Sequence, residues 1–391
     1  MQSFEFFNSV RLLFGTGQFQ RLGERAADCG RRAMLVTGRS SARETGLLHR
    51  ALDLLDDAGV DVTLFDGVMP NPTDEIVEEG GELAREAGID LVIGLGGGSP
   101  MDAAKGIAVA ATHDAPVSEF LKPPDKAEPT DATLPLICAT TTSGTSSELT
   151  PYAVITIKDL TMKSSIGGDH IYPKVAIVDP ELTLTCPPSV TANTGADVLA
   201  HAMEGYFSTV ASPVTEACSE RAIGLVGQHL PRAVSAPEDL SAREGMSLAN
   251  VFAGYTLSNC GATVLHALEH PMSAHYPELP HGAGLAVLMV AYAERYWEED
   301  PYKFGRITQL LGDAPHVAPE HVADGAADAL RNLLGRIGLN VGLEDIGVER
   351  DLLPTIAADA MHYMEGAITK TPVELSREEL IELLEASYST D

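Results

Sequence analysis

The sequence predicts an α/β half followed by an all-α half, with the change near residue 186. Three observations lead there. Short apolar runs alternate with helical patterns as far as Asp179, the order expected of a parallel sheet with crossover helices. Beyond Pro187-Pro188, β-branched runs of strand length almost vanish while amphipathic patterns continue to the C-terminus. With 391 residues and 45% hydrophobic content, the chain is also large enough to fill two separate cores.

The elements follow in order. Ala33–Val36 is a strand-like run ending in Thr37-Gly38-Arg39-Ser40-Ser41, and a helical pattern runs from Leu47 through Leu55 to Gly59. Val60–Phe65 predicts a second strand and Ile76–Ala87 a helix, with acidic residues interleaved among apolar ones. Asp90–Leu95 predicts a third strand, followed by a helix over Ser99–Ala111. His113–Pro135 is Pro-rich and polar and predicts a surface loop. Leu136–Ala139 and Val175–Asp179 predict two more strands. In the second half, Ala196–Phe207, Glu216–Leu225 and Val322–Leu334 carry helical patterns without internal repeats.

Composition narrows the class. The net charge of -30 comes from 56 Asp and Glu against 26 Lys and Arg, spread along the chain, and argues against nucleic acid as a partner. No apolar run reaches the length of a membrane span, and the start lacks a basic region before an apolar one, so the expected setting is the cytoplasm. Five cysteines without C-x-x-C spacing predict reduced thiols, with neither a disulfide framework nor a thiolate metal site. Lysine is scarce: the first is Lys105, and none lies between Lys174 and Lys303. Two readings fit, a salt-adapted (halophilic) surface or an ordinary acidic enzyme.

Two polar turns carry the first chemistry. After the strand ending at Leu95 comes Gly96-Gly97-Gly98-Ser99, opening a helix. Glycines admit close backbone approach, and free N–H groups at a helix start favour an anion such as a pyrophosphate. The spacing is not the usual G-x-G-x-x-G, and a plain tight turn is the alternative. After the next strand comes Thr140-Thr141-Thr142-Ser143-Gly144-Thr145-Ser146-Ser147-Glu148, whose hydroxyls and N–H groups could hold the other side of the same diphosphate. Helix capping by Ser or Thr would explain it equally.

A histidine constellation carries the second. Asp197 and His201 are four apart, and so are His266 and His270, which puts each pair on one helix face; His281 follows in Pro280-His281-Gly282. A solvated helix face would account for either pair alone. Together, a carboxylate with imidazoles on an apolar background suits Fe, Zn, Ni or Co better than Ca or Mg.

At this point the chain resembles the iron-containing, or group III, alcohol dehydrogenases over nearly its whole length. Four blocks carry the resemblance in order: Leu13-Phe14-Gly15-Thr16-Gly17, the Gly96–Lys105 turn, Thr141–Thr150, and Gly195–Tyr206 with His266–Gly282. The resemblance implies a Rossmann-like nicotinamide-dinucleotide-binding domain over 1–185 and an all-helical metal-binding and substrate domain over 186–391. It implies a divalent metal held by Asp197, His201, His266 and His281, usually iron(II), with zinc a common substitute. It further implies that Gly97, Gly98 and Ser99 hold the diphosphate of NAD or NADP, helped by Thr141, Thr142 and Thr145. Lys163 would reach the ribose, with Asn71 near by. His270 matches a family histidine that faces nicotinamide and substrate, a proton-relay or orienting role.

One position departs from the pattern. NAD-preferring members often carry an Asp where this chain has Gly38, so the barrier to a 2′-phosphate is absent and NADP should be accepted. Maleylacetate reductases of this fold lack the metal ligands and glycerol dehydrogenases use a smaller set, whereas this chain keeps all four. The expected reaction is hydride transfer between NAD(P)(H) and a small alcohol or aldehyde, with the metal as Lewis acid. The expected partners are that substrate and further copies of the chain, in a dimer or higher homo-oligomer. The alternatives are a dehydroquinate-synthase-like lyase, against which the lysine-poor helical half argues, and a non-catalytic nicotinamide-binding sensor, which would be expected to have lost a ligand.

Overall fold

The computed structural model describes residues 3–312 and 316–389. Contacts divide the chain into two compact units, Asn8–Thr142 with Ser146–Thr185, and residues up to Phe7 with Ser143–Thr145 and everything from Cys186 on.

The first unit is a six-stranded sheet of β1 (Arg11–Phe14), β2 (Arg32–Gly38), β3 (Asp61–Val68), β4 (Leu91–Gly96), β5 (Leu136–Thr140) and β8 (Val175–Val178). Every pairing is parallel, in the order β1-β8-β5-β4-β2-β3. All residues of β4, β5 and β8 are buried, as expected of strands covered on both faces. The crossover helices are α1 (Leu22–Cys29), α3 (Leu47–Asp57), α4 (Asp74–Glu86) and α5 (Gly98–Ala110), with a single turn α2 (Ser41–Glu44) after β2. The chain runs outward from β2 to β3 and returns as β4 on the other side of β2. The C-terminal ends of β2 and β4 therefore flank a topological switch point, where open α/β sheets place their ligands. Gly38 ends one strand and Gly96 the other.

Two parts of this unit depart from expectation. The His113–Pro135 stretch is not all surface loop: Val117–Phe120 forms a 3-10 turn, and Val117, Phe120 and Leu121 are buried, because three apolar side chains among the prolines find a place in the core. Three strands were not anticipated: β1 at the sheet edge, and β6 (Tyr152–Ile157) with β7 (Met162–Gly167), an antiparallel hairpin forming its own two-stranded sheet. Strand β6 alternates exposed-side and buried residues, a short pattern between turn-rich segments.

The second unit contains no strand among its described residues. Its long helices are α6 (Pro188–Phe207), α7 (Pro213–Ser235), α8 (Leu240–Cys260), α9 (Val264–His275) and α10 (His281–Tyr296), followed by α11 (Pro301–Leu310), α12 (Ala326–Arg336), α13 (Leu353–Tyr363), α14 (Glu365–Ile368) and α15 (Arg377–Ala386). Proline at the first helical position starts α6, α7 and α11, where its missing N–H costs nothing. Helices α6, α9 and α10 are buried almost all round, which puts whatever polar side chains they carry into the core. Among the described residues no helix is long and apolar enough to cross a membrane.

Candidate functional site

In the helical unit, α6, α9 and α10 bring four predicted residues to one point. His201, His266 and His281 place their Nε2 atoms 3.5, 3.4 and 3.7 Å from one oxygen, Asp197 Oδ1. Asp197, His201 and His266 are each at most 6% exposed. Asp197 and His201 stand one turn apart on α6, while His281 is the first residue of α10. The residue after it is necessarily small: a Cβ on Gly282 would lie 1.9 Å from the carbonyl oxygen of Asn193 on α6. That close approach of α10 to α6 sets His281 beside Asp197.

The donor set fits a divalent cation. Asp197 Oδ1 and His266 Nε2, two of the convergent atoms, are buried without a hydrogen-bond partner, a state polar atoms avoid unless something else binds them. The Nε2···Oδ1 separations are too long for ordinary hydrogen bonds. They match the ~3.4 Å between neighbouring ligands around a four-coordinate ion with bonds of ~2.1 Å.

Two carboxylates support these ligands. Glu204, three residues after His201 on α6, accepts the Nδ1–H of His266 in a short hydrogen bond. Its other oxygen accepts from the backbone N–H of Thr263 at 3.0 Å and of His266 at 3.1 Å, capping the start of α9. Glu269 of α9 pairs closely with His281 Nδ1 and accepts from Ser273 Oγ. Each carboxylate thus fixes a ring and turns its Nε2 toward Asp197. His270 is buried, its ring 5.9 Å from that of His266 and 5.7 Å from that of His281.

Electrostatics sort the cluster. Burial pushes His201 down to about 4 in spite of Asp197. Burial would lower His266 as well, but Glu204 and Asp197 carry it up to about 10. Asp197 is held below the usual carboxylate range, its burial outweighed by the surrounding imidazoles.

In the sheet unit, the two polar turns are neighbours. Strand β4 pairs with β5 so that Gly96 faces Thr140, and Thr141 N donates to Gly96 O at 2.9 Å. Gly96 has φ +149, a conformation side chains rarely adopt. Gly97 is the N-cap of α5 and provides no side-chain cap, so Gly98 and Ser99 lie in the first helical turn with their N–H groups unsatisfied by the helix. Thr142 Oγ1 would lie 3.3 Å from a Cβ on Gly97. The capping explanation for the threonine run does not hold, since Ser147–Leu149 is a 3-10 turn whose N-cap, Ser146, is left-handed and makes no side-chain cap. Thr141 and Thr142 fall in the sheet unit, and Ser143–Thr145 in the helical one. Asn71 (φ 52) and Lys163 (5% exposed) are linked through β6, where Thr156 N donates to Pro72 O at 2.9 Å and Thr156 pairs with Lys163.

With this geometry in place, likeness to known proteins decides the family. The model of the iron-containing alcohol dehydrogenases matches residues 9–180, and that of the C-terminal part of the same family matches 191–388. The chain belongs to the iron-containing alcohol dehydrogenase family. It is 34% identical to the 1,3-propanediol dehydrogenase of Citrobacter freundii over 96% of both chains. It is 34% identical to alcohol dehydrogenase 4 of Schizosaccharomyces pombe, over 94% of this chain and 85% of that one. The crystal structure of an archaeal halo-thermophilic alcohol dehydrogenase from a Red Sea brine pool superposes with a TM-score of 0.94 at 38% identity, covering 99% of this chain and 100% of the other. The Rossmann-like and helical parts are those of this family, and the chain is an oxidoreductase of the alcohol dehydrogenase class. These likenesses favour neither the lyase nor the sensor.

Sequence reasoning on this alcohol dehydrogenase missed Glu204 and Glu269. Their spacing was the available signal. Glu204 follows Asp197 by seven and His201 by three, and Glu269 follows His266 by three, so each shares a helix face with the ligands.

Proposed function

We propose that the chain transfers a hydride between NAD(P)(H) and a small primary or secondary alcohol or aldehyde. In this reading the 186–391 domain holds iron(II), or zinc in its place, through Asp197, His201, His266 and His281, and the 1–185 domain holds the dinucleotide. The observation that carries it is the convergence of three imidazole Nε2 atoms, those of His201 and His266 on buried rings, on one buried carboxylate oxygen that has no hydrogen-bond partner. A bound divalent cation supplies Lewis acidity toward the substrate oxygen.

The chain's own residues do the rest. Asp197 brings the negative charge that neutral imidazoles lack, and Glu204 and Glu269 hold His266 and His281 in the tautomer that frees Nε2. Alcohol oxidation releases a hydroxyl proton as the hydride leaves carbon, and His270, a buried imidazole beside His266 and His281, takes the relay or orienting role. The backbone at Gly97, Gly98 and Ser99 receives the diphosphate with Thr141 and Thr142, while Thr145, Asn71 and Lys163 complete the cofactor contacts. Gly38 leaves room for a 2′-phosphate. Among relatives, the methanol dehydrogenase of Bacillus methanolicus is named NAD-dependent and the butanol dehydrogenase of Clostridium saccharobutylicum NADPH-dependent.

The same reading places the enzyme in the cytoplasm, supported by five free cysteines, and gives it a salt-adapted surface, supported by the charge of -30 and the likeness to a halo-thermophilic enzyme. It works as a dimer or larger assembly of like chains; a solution mass equal to one chain of 41.3 kDa would remove that part. The deciding experiment follows NADH and NADPH oxidation by purified protein against short aldehydes, with and without anaerobic loading of iron(II). Turnover is expected only in the loaded protein, and equal turnover after complete metal removal would overturn the reading.

A further inference from the structure

Helix α5 carries two buried charged side chains of opposite sign, Asp102 and Lys105, that the reading above leaves unused. Lys105 is 0% and Asp102 8% exposed, three residues apart on the helix that starts at Gly98. Both reach the same stretch of chain. Lys105 Nζ donates to the carbonyl oxygens of Thr150 at 2.8 Å and Tyr152 at 2.7 Å. Asp102 Oδ1 accepts from Ser147 Oγ at 2.6 Å, and Oδ2 from the backbone N–H of Val154 at 3.1 Å.

Two buried charges are an expensive way to attach a helix to a loop. Removing two charges from water costs several kcal/mol per ion, and apolar side chains of like volume often stabilise as well or better. What the four hydrogen bonds add is direction, since an apolar contact can slide while they admit a single placement. The segment they hold needs one. Strands β6 and β7 form a two-stranded sheet apart from the main one, and an isolated hairpin has little stability of its own. Tyr152 and Val154 lie in β6, and Lys163 lies across from Thr156 in β7. Thr156 N in turn holds Pro72 O, next to Asn71.

We propose that Asp102 and Lys105 are positioning residues for the dinucleotide: they moor the β6–β7 hairpin to α5, so that Lys163 keeps its place relative to the helix start at Gly98. The inference rests on the cofactor contacts assigned above to Gly97–Ser99 and Lys163. Asp102 and Lys105 act through the hairpin they hold.

The test is a double-mutant cycle read as binding of NADH and NADPH to the iron-loaded enzyme without substrate, by fluorescence titration, with the melting temperature followed in parallel. Lys163→Ala should weaken cofactor binding. Asp102→Asn removes the charge from the acceptor of Val154 N–H and Ser147 Oγ–H and leaves an amide oxygen for only one of these donors; it should raise Kd about tenfold, the worth of a charge-assisted hydrogen bond. In the Lys163→Ala background the same substitution should add little, because its effect travels through Lys163. Lys163→Ala with unchanged Kd removes the assignment of Lys163 and the inference with it. Weakened binding in Lys163→Ala beside an unchanged Kd in Asp102→Asn, whatever its melting temperature, removes the mooring alone, as does full additivity in the double variant. If Asp102→Asn does not fold, Ser147→Ala takes its place. It deletes one hydroxyl and leaves both charged side chains in place, and should raise Kd severalfold; an unchanged Kd there overturns the inference.

Discussion

In the helical unit the candidate centre is made of side chains held at both ends: His266 and His281 each point Nε2 at Asp197 and tie Nδ1 to a buried carboxylate. In the sheet unit the candidate cofactor edge is made largely of backbone, with Gly96, Gly97 and Gly98 at the switch point and N–H groups that no side chain caps. The first arrangement gains strength from charge in a dry interior, so the loss of one atom is felt in full. The second gains shape from what is missing, so it tolerates change until a side chain intrudes. Variants should therefore cost most in the helical unit and least at the sheet edge.

The largest effect tests that ranking at its upper end. His266→Ala or His281→Ala should abolish turnover and lower bound metal, since four ligands act as a set. Normal activity in a variant whose metal analysis shows the ion gone would break the comparison at its root. One step outward, Glu204→Gln and Glu269→Gln should weaken metal retention by about 10–100-fold against a chelator, the usual cost of losing an orienting carboxylate. Glu204→Gln should be the more damaging, because Glu204 also caps α9. Equal metal affinity in both variants and the parent would mean that the carboxylates serve packing alone.

The same difference explains what the sequence made legible. Side chains at i, i+3, i+4 and i+7 on a helix share a face whatever the rest of the fold does, so Asp197, His201, His266 and His270 could be paired by counting. Counting would have reached Glu204 and Glu269 too, but acidic residues beside histidines look like ordinary solvated charges until burial is known. His281 joined the others only on the condition that the helices pack together, because its place depends on how closely Gly282 allows α10 to approach α6. Strands β2, β4 and β5 were readable as apolar runs. The β6–β7 hairpin was missed: Tyr152–Ile157 is an aromatic and β-branched run that carried the signal, but its partner Met162–Gly167 is half-polar and the pair stands apart from the main sheet.

A third prediction sets the two regions against each other through charge. From residue 186 onward there are 29 acidic and 11 basic residues, against 27 and 15 before it, and six of the eight lysines lie between Lys105 and Lys174. Self-repulsion should weigh more on the helical half. At molar salt the Debye length falls to about 3 Å and that repulsion is screened. The melting temperature should rise by several degrees between dilute buffer and molar salt, roughly 2–4 °C for each kcal/mol recovered. Hydrogen exchange should show α12 to α15 gaining protection before the strands of the sheet. A melting temperature indifferent to salt would contradict the salt-adapted surface, and equal gains in both halves would remove the contrast between them.

The smallest effect belongs to the open edge. Gly38 ends β2 at the switch point, and a Cβ placed there meets nothing nearer than 3.7 Å, the carbonyl oxygen of Val68. Gly38→Asp should therefore fold normally and change only what the position says to a ribose. A carboxylate accepts hydrogen bonds from the 2′- and 3′-hydroxyls and repels a 2′-phosphate, so the variant should move toward NAD. Arg39, Ser40 and Ser41 follow and are exposed. Arg39 offers a planar fork for phosphate, the pairing in which guanidinium exceeds ammonium. Arg39→Ala should cut kcat/KM with NADPH about tenfold and leave NADH nearly untouched, a difference of about 1.4 kcal/mol in transition-state binding. The two variants bear on different atoms of one recognition event: Gly38→Asp adds a repulsion, Arg39→Ala removes an attraction, and in combination their effects on the NADPH/NADH ratio should add only if the two groups do not compete for the same phosphate oxygen. Steady-state kinetics with both cofactors decides the matter. A parent enzyme that strongly prefers NADH, with a preference that survives Arg39→Ala, would show that the turn is merely solvated and that the diphosphate contacts at Gly97–Ser99 carry the binding by themselves.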